Sequence, residues 1–210
     1  VIGYNAEYGT EYTLEELTTL AYRRYLESLL AVDEAVDRLV HALDDEGALE
    51  NTLIVFVSDN GWSFGEHRIP FAKVLPYENV VRVPFVVRGA GFAPGAVQNG
   101  QVAIVDLPAT ILAATGAAPG LALDGRALPG GPGADDASPR ALLLESPPRG
   151  SARIPHYDGV RTDRYTYVVY DTGDIELYDR VTDPDELENV ASDPARAPAI
   201  RGVGRRAQLR

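Results

Sequence analysis

The run Leu53-Ile54-Val55-Phe56-Val57 most constrains what this chain can fold into. It offers no polar face, so a strand built from it needs cover on both sides, as in a parallel sheet flanked by helices. The run ends at Ser58-Asp59-Asn60-Gly61. At the carboxyl ends of strands in open α/β sheets the loops diverge and leave a crevice where ligands collect. A carboxylate beside an amide carbonyl supplies two hard oxygen donors, suited to Ca²⁺ or Mg²⁺ rather than to a soft metal. Asn-Gly is also a common hairpin turn. A hairpin strand alternates in polarity, however, and Leu53–Val57 does not.

The flanking segments predict an α/β alternation. Thr13 followed by Glu16 fits a capping box at a helix start, and Leu29, Val32, Val36, Leu39 and Leu43 recur at three- and four-residue steps as one apolar stripe. Glu34 and Arg38 form a supportive i,i+4 pair, and Gly47 is placed to end the helix. Beyond the first strand, Val83–Val87 reads as a second one, with Pro84 near its start. Asp106–Thr115 reads as a short helix with Pro108 in its first turn and Gly116 after its end. Residues 1–13 are Tyr-rich, polar and carry no readable pattern.

Gly, Pro, Ala and Asp dominate residues 116–140, where neither a packed strand nor a helix is expected. Past them, Ala141–Glu145, Val160–Thr162, Tyr165–Tyr170 and Ile175–Tyr178 are short strand-like runs, and Asp171-Thr172-Gly173-Asp174 is a turn between the last two. A small antiparallel sheet follows from that spacing. The expected organisation is therefore an α/β portion over 1–115, a Gly/Pro-rich connection over 116–140 and a small α+β subdomain over 141–210.

Composition narrows the function classes. Nineteen basic against thirty-one acidic residues leave a net charge of −12 in a chain of 210 residues. That surface repels phosphate backbones and anionic lipid, which argues against nucleic acid and membrane as partners, and no apolar run approaches the ~18–20 residues of a membrane span. With no cysteine, disulfides, thiolate catalysis and Cys-ligated metals are excluded. The chain opens on Val1 without a basic and apolar leader pattern, so either a leader has been removed or the sequence is a piece of something longer.

Lys73 is the only lysine among the nineteen basic residues. A compact ammonium a short loop away from a divalent site can neutralise an oxygen of a tetrahedral anion; the alternative is a solvated surface lysine. Of three histidines, His67 lies in the same loop, either near a substrate or merely on the surface. His41 sits in the long helix among apolar neighbours and reads as structural. His156 lies in a Pro-bounded loop and carries no assignment.

In residue type and order, Asp59-Asn60-Gly61, Phe64-Gly65-Glu66-His67, Lys73, Pro76-Tyr77-Glu78 and Arg82-Val83-Pro84-Phe85 resemble the second-half signature of the sulfatase family, within the alkaline-phosphatase-like superfamily. Gly47, Leu49, Asn51 and Thr52, leading into the strand, are similar to it as well. So are Val160-Arg161-Thr162-Asp163-Arg164-Tyr165, Glu176-Leu177-Tyr178-Asp179, and Asp183-Pro184-Asp185-Glu186 with Asn189. The resemblance spans about residues 14–195.

It implies the second half of an alkaline-phosphatase-like α/β/α sandwich followed by a small antiparallel-sheet subdomain, in a sulfuric ester hydrolase acting on a small or polymeric sulfated substrate. By the same resemblance, Asp59 and Asn60 would ligate an active-site divalent cation, normally Ca²⁺. Lys73 would bind the sulfate oxygens, and His67 lies in a motif near the substrate. The family's formylglycine nucleophile, two further acidic ligands and a histidine acting on the leaving group belong to a first half expected upstream of this chain, which is expected to be inactive by itself. A periplasmic or secreted location is compatible with the family. Ser192-Asp193-Pro194-Ala195-Arg196 matches Ser-x-Pro-x-Arg letter for letter, but it sits at the far C-terminus and runs into Ala197-Pro198, so it reads as coincidence. A phosphodiesterase or phosphonate hydrolase of the same superfamily, and a non-catalytic binding or structural module, stay open as alternatives.

Overall fold

The computed structural model describes residues 3–5, 10–89, 91–134, 140–146 and 154–207. In its first half, strands β1 (Gly3–Asn5) and β2 (Thr10–Tyr12) precede helix α1 (Leu14–Asp45), followed by strands β3 (Ile54–Val57), β4 (Ser63–Phe64) and β5 (Pro70–Ala72). Helix α2 (Glu78–Val81), strand β6 (Phe85–Arg88) and helix α3 (Leu107–Thr115) come next. Strands β7 (Leu142–Glu145), β8 (Tyr157–Arg161), β9 (Tyr165–Tyr170) and β10 (Ile175–Asp179) lead to helix α4 (Ala197–Ala207). The chain divides into two compact units, Val1–Thr52 with Trp62–Lys73 and Leu53–Gly61 with Val74–Arg210. No described helix is long and apolar enough to cross a membrane.

In the first unit, α1 starts and stops where local chemistry dictates. Thr13 N–H donates to Glu16 Oε2 at 2.8 Å and Glu16 N–H donates back to Thr13 Oγ1 at 3.2 Å, completing the capping box. These bonds from Thr13 hold the Glu16 carboxyl below its ordinary range. At the other end, Gly47 takes φ +62°, and the bonds Gly47 N–H to Asp44 O and Ala48 N–H to Leu43 O form a Schellman closure. The apolar stripe of α1 is not buried: Leu29, Val32 and Leu39 are all exposed. His41, expected among apolar neighbours, is instead exposed beside Asp37, with Nδ1 at 3.2 Å from the Asp37 carboxylate. Residues 1–13, unreadable in sequence, contain the antiparallel pair β1–β2, with Tyr4 opposite Glu11. The hairpin β4–β5 packs its Phe64 ring against Tyr22 and Tyr25, with centroids 5.1 and 5.4 Å apart.

In the second unit, β3 pairs with β6 in the antiparallel sense, Ile54 opposite Arg88 and Val57 opposite Phe85. This corrects the parallel pairing expected from the apolar run. Runs without alternation report cover on both faces, not strand direction, and in the described chain even that cover is partial, since Phe56 and Val86 are exposed. Helix α3 ends at Gly116 with φ +70° as its sequence predicts. Of the Gly/Pro-rich stretch, the described residues 116–134 and 140 form no helix or strand, yet Ala127 and Leu128 are buried. The segment is fastened to α3 by buried polar groups. Asp106 accepts from the N–H groups of Ala103 and Arg126 and from Arg140 Nη1, all within 2.8–3.0 Å.

The expected antiparallel sheet is present, in the order β10-β9-β8-β7. Val160, Tyr167 and Leu177 form its core, against which Val190, Ala199 and Ile200 pack. Burial of an aliphatic side chain such as Val160 or Leu177 contributes roughly 1.5–3 kcal/mol. Gly173, at φ +87°, turns the chain between β9 and β10.

Candidate functional site

The turn after β3 is braced from within. Ser58 Oγ donates to Asn60 O at 2.8 Å, Asn60 N–H donates to Asp59 Oδ1 at 2.9 Å, and Asn60 Nδ2 donates to Gly61 O at 2.8 Å. The amide nitrogen of Asn60 is thus committed, and its Oδ1 takes no part in these bonds. Asp59 is exposed and keeps Oδ2 clear of these bonds. The turn therefore offers two hard oxygens from adjacent residues, part of the six to eight that a Ca²⁺ ion takes. Among the described residues, no group of three or more His, Cys, Asp and Glu side chains could hold a metal. The pair fits a share of a cation's coordination shell.

Behind the turn lies α2. Gly61 N–H donates to Val80 O at 2.7 Å, and a Cβ at position 61 would overlap the Asn79 carbonyl oxygen. One helical turn is marginal alone, and α2 is held by distant side chains. Glu78 N–H donates to Glu186 Oε2 at 2.7 Å, and Thr166 Oγ1 on β9 donates to Glu186 Oε1 at 2.6 Å. The Glu78 carboxylate pairs with Arg161 at 2.5 Å, Arg180 at 3.3 Å and Arg82 at 3.4 Å. Burial pushes the Glu78 carboxyl up, but the arginines outweigh it and hold it below the ordinary carboxylate range. Glu186 is fully buried, and burial lifts its carboxyl above that range against the opposing bonds from Thr166 and Glu78. Beside them, Tyr77 donates to Glu176 at 3.2 Å, and burial followed by the Glu176 charge pushes the Tyr77 phenol up to about 12.

His67 and Lys73 belong to the other unit. The β4–β5 hairpin is tied by Ser63, fully buried, whose Oγ donates to Ile69 O at 2.5 Å. Glu66 Oε2 accepts Phe64 N–H at 2.6 Å. His67, Arg68 and Phe71 all take positive φ, between 54° and 60°, a conformation that costs non-glycine residues and that concentrates at functional sites. Lys73 follows β5 and is exposed. The structure thus brings Asp59 and Asn60 together in one unit and places His67 and Lys73 in the other.

The C-terminal Ser-x-Pro-x-Arg match has a local structural use. Asp193 caps the turn at Pro194–Arg196 by accepting Ala195 N–H at 2.9 Å, and Arg196 pairs with the buried Asp179 at 3.0 Å. Sequence reasoning gave no role to Glu78, Arg161, Arg180 or Glu186. Three of the four lie in segments that carry the family resemblance, which was the available signal.

The family model described as Sulfatase matches residues 3–117, and the model described as N-sulphoglucosamine sulphohydrolase, C-terminal, matches residues 65–208. An arylsulfatase of Volvox carteri is 34% identical over 203 residues, covering 80% of this chain and 31% of the relative. The solved structure of BT4656 in complex with its substrate D-glucosamine-2-N,6-O-disulfate superposes with a TM-score of 0.77 at 27% identity, covering 88% of this chain and 39% of that one. The phosphonate monoester hydrolase of Agrobacterium radiobacter gives 0.71 at 28% identity, covering 84% and 38%. The chain spans about a third of the length of the arylsulfatase it matches.

Proposed function

The chain belongs to the sulfatase family, and we propose that it is the C-terminal portion of a sulfuric ester hydrolase, contributing half of an alkaline-phosphatase-like sandwich and a small C-terminal subdomain. The observation that carries this reading is the Asp59-Asn60-Gly61 turn at the carboxyl end of β3, braced so that two oxygens stay available. Asp59 and Asn60 would hold a divalent cation, Ca²⁺ by family resemblance, together with acidic ligands supplied by residues outside this chain. When bound, the cation supplies Lewis-acid charge stabilisation at the sulfate. The Lys73 ammonium binds sulfate oxygens and stabilises charge as it grows on the ester oxygen. His67, in its strained turn, would lie near the substrate. The formylglycine nucleophile is likewise supplied from outside the 210 residues.

The sulfated glucosamine bound by BT4656 and the N-sulphoglucosamine sulphohydrolase model support a sulfated sugar as substrate. The test is an assay of the full-length protein on an aryl sulfate, a glucosamine 6-sulfate and an aryl phosphonate, with and without Asp59→Ala. Sulfate release that Asp59→Ala abolishes is expected. The likeness to the phosphonate monoester hydrolase favours a second reading, and faster turnover of the phosphonate would establish it instead.

A further inference from the structure

Three segments that carry the family resemblance, around Glu78, Arg161 and Glu186, converge on one buried cluster that no step of the reaction uses. Glu186 is 0% exposed and holds a positive φ of 56°, a costly combination for a charged residue. Both of its oxygens are spent, Oε2 on the backbone N–H of Glu78 and Oε1 on Thr166 of β9. Tyr77, the residue preceding α2, provides no side-chain cap of its own, so the Glu186 carboxylate does that work from 108 residues away. The Glu78 side chain is gripped in turn by Arg161 on β8 and by Arg180.

From α2 the path to the site is one hydrogen bond long. Val80 is 3% exposed, and its carbonyl accepts Gly61 N–H at 2.7 Å. The Asn79 carbonyl fills the space that a side chain at Gly61 would need. A displacement of α2 therefore moves Gly61 and, through Asn60 Nδ2 to Gly61 O, the Asn60 amide.

We propose that Glu186, with Arg161 and Arg180, is the positioning device for the Asp59–Asn60 cation-binding turn, acting from the C-terminal sheet through α2. The proposal rests on the reading of that turn as a cation site. Groups that orient metal ligands from outside the coordination shell typically change affinity by about 10–100-fold when removed.

The test measures Ca²⁺ affinity of the full-length protein by titration calorimetry, beside thermal unfolding. Glu186→Ala is expected to weaken Ca²⁺ binding by about 10–100-fold. Glu186→Gln is expected to keep most of it, because its carbonyl can accept Glu78 N–H while its amide donates to Thr166 Oγ1. Asn189→Ala removes the acceptor for Leu177 N–H in the same sheet without touching α2, so it should lower the melting temperature and leave Ca²⁺ affinity unchanged. Should Glu186→Ala fail to fold, Thr166→Val, which removes one bond to the same carboxylate, is expected to weaken Ca²⁺ binding in the same direction. Native affinity in the folded Glu186→Ala protein, or in Thr166→Val if that variant alone folds, would overturn the proposal. So would an equal loss in Asn189→Ala. Asp59→Ala separates the two readings. If it too leaves Ca²⁺ affinity unchanged, the cation site itself is wrong; if it abolishes binding while Glu186→Ala does not, only the positioning role falls.

Discussion

The backbone N–H of Gly61 donates to the carbonyl oxygen of Val80 at 2.7 Å, joining the turn after β3 to a helix of four residues. No side chain fits between them, because a Cβ at Gly61 would overlap the Asn79 carbonyl. Backbone cannot swing aside as a flexible side chain can, so Gly61→Ala forces the turn and α2 apart. Overpacking of this kind costs about 1–3 kcal/mol. Urea unfolding of the full-length protein should register that loss, and Ca²⁺ titration should show weakened binding. Unchanged values in both would mean that turn and helix are not in register.

Asp106 predicts a larger effect. It is 1% exposed and accepts two backbone N–H groups and the Arg140 guanidinium. Asp106→Ala leaves those donors without an acceptor and Arg140, itself mostly buried, without its counter-charge. Breaking a buried pair in this way costs about 3–5 kcal/mol. Urea unfolding should show the loss, and Asp106→Ala with Arg140→Met should recover part of it. A single variant as stable as the wild type would show that the Gly/Pro-rich segment is held by other means.

What the sequence made legible was local. Thr13 and Glu16, Gly47, Pro108 with Gly116, and the turn at Gly173 each act within a few residues, and each stands where it was expected. The turn at Asp59-Asn60-Gly61 was legible for the same reason, since its bracing residues are adjacent in the chain. Strand direction was not. Whether Val57 meets Phe85 in a parallel or antiparallel ladder depends on the path of the chain between them, which an apolar run does not encode. The exposed position of His41 escaped because periodicity shows which residues share a face, not whether anything covers it. Glu186 could not be read as a cap for Glu78 at a separation of 108 residues.

Asp179 gives the pH dependence of the C-terminal sheet. Arg164 at 2.7 Å and Arg196 at 3.0 Å hold this buried carboxyl below its ordinary range. A depressed pKa in the folded state means that the unfolded chain binds the proton first. The stabilisation is fully present above the ordinary Asp value, about 3.9, and is lost as pH falls toward the lowered one. Urea midpoints measured between neutral pH and pH 3 should therefore drop on the acid side. Asp179→Asn should start lower at neutral pH and vary less. Parallel curves for the two proteins would remove Asp179 as a source of acid sensitivity.

Produced alone, the 210-residue chain is expected to self-associate. Leu30 at 66% and Leu39 at 52% exposure on α1, and Val86 at 59% on β6, leave large apolar side chains in water, and apolar groups left exposed favour association. Sedimentation velocity across a concentration series is the measurement. A monomer at all concentrations with a single sharp melting transition would contradict the expectation.

Lys73 is the sharpest test of the reaction. It is exposed at the end of the β4–β5 hairpin, and a side chain so placed contributes little packing, so its removal leaves the fold intact. If its ammonium binds the sulfate, it stabilises charge that grows toward the leaving oxygen, and loss of one such donor costs about 10²–10³ in turnover. Lys73→Ala in the full-length protein should fall by that factor with an unchanged melting temperature. Lys73→Arg should recover only part, because a planar guanidinium cannot occupy the point held by a compact ammonium. A solvated lysine predicts near-normal kinetics for both variants. Near-normal turnover by Lys73→Ala would take the chain's only lysine out of the site and leave Asp59 and Asn60 to carry its chemistry.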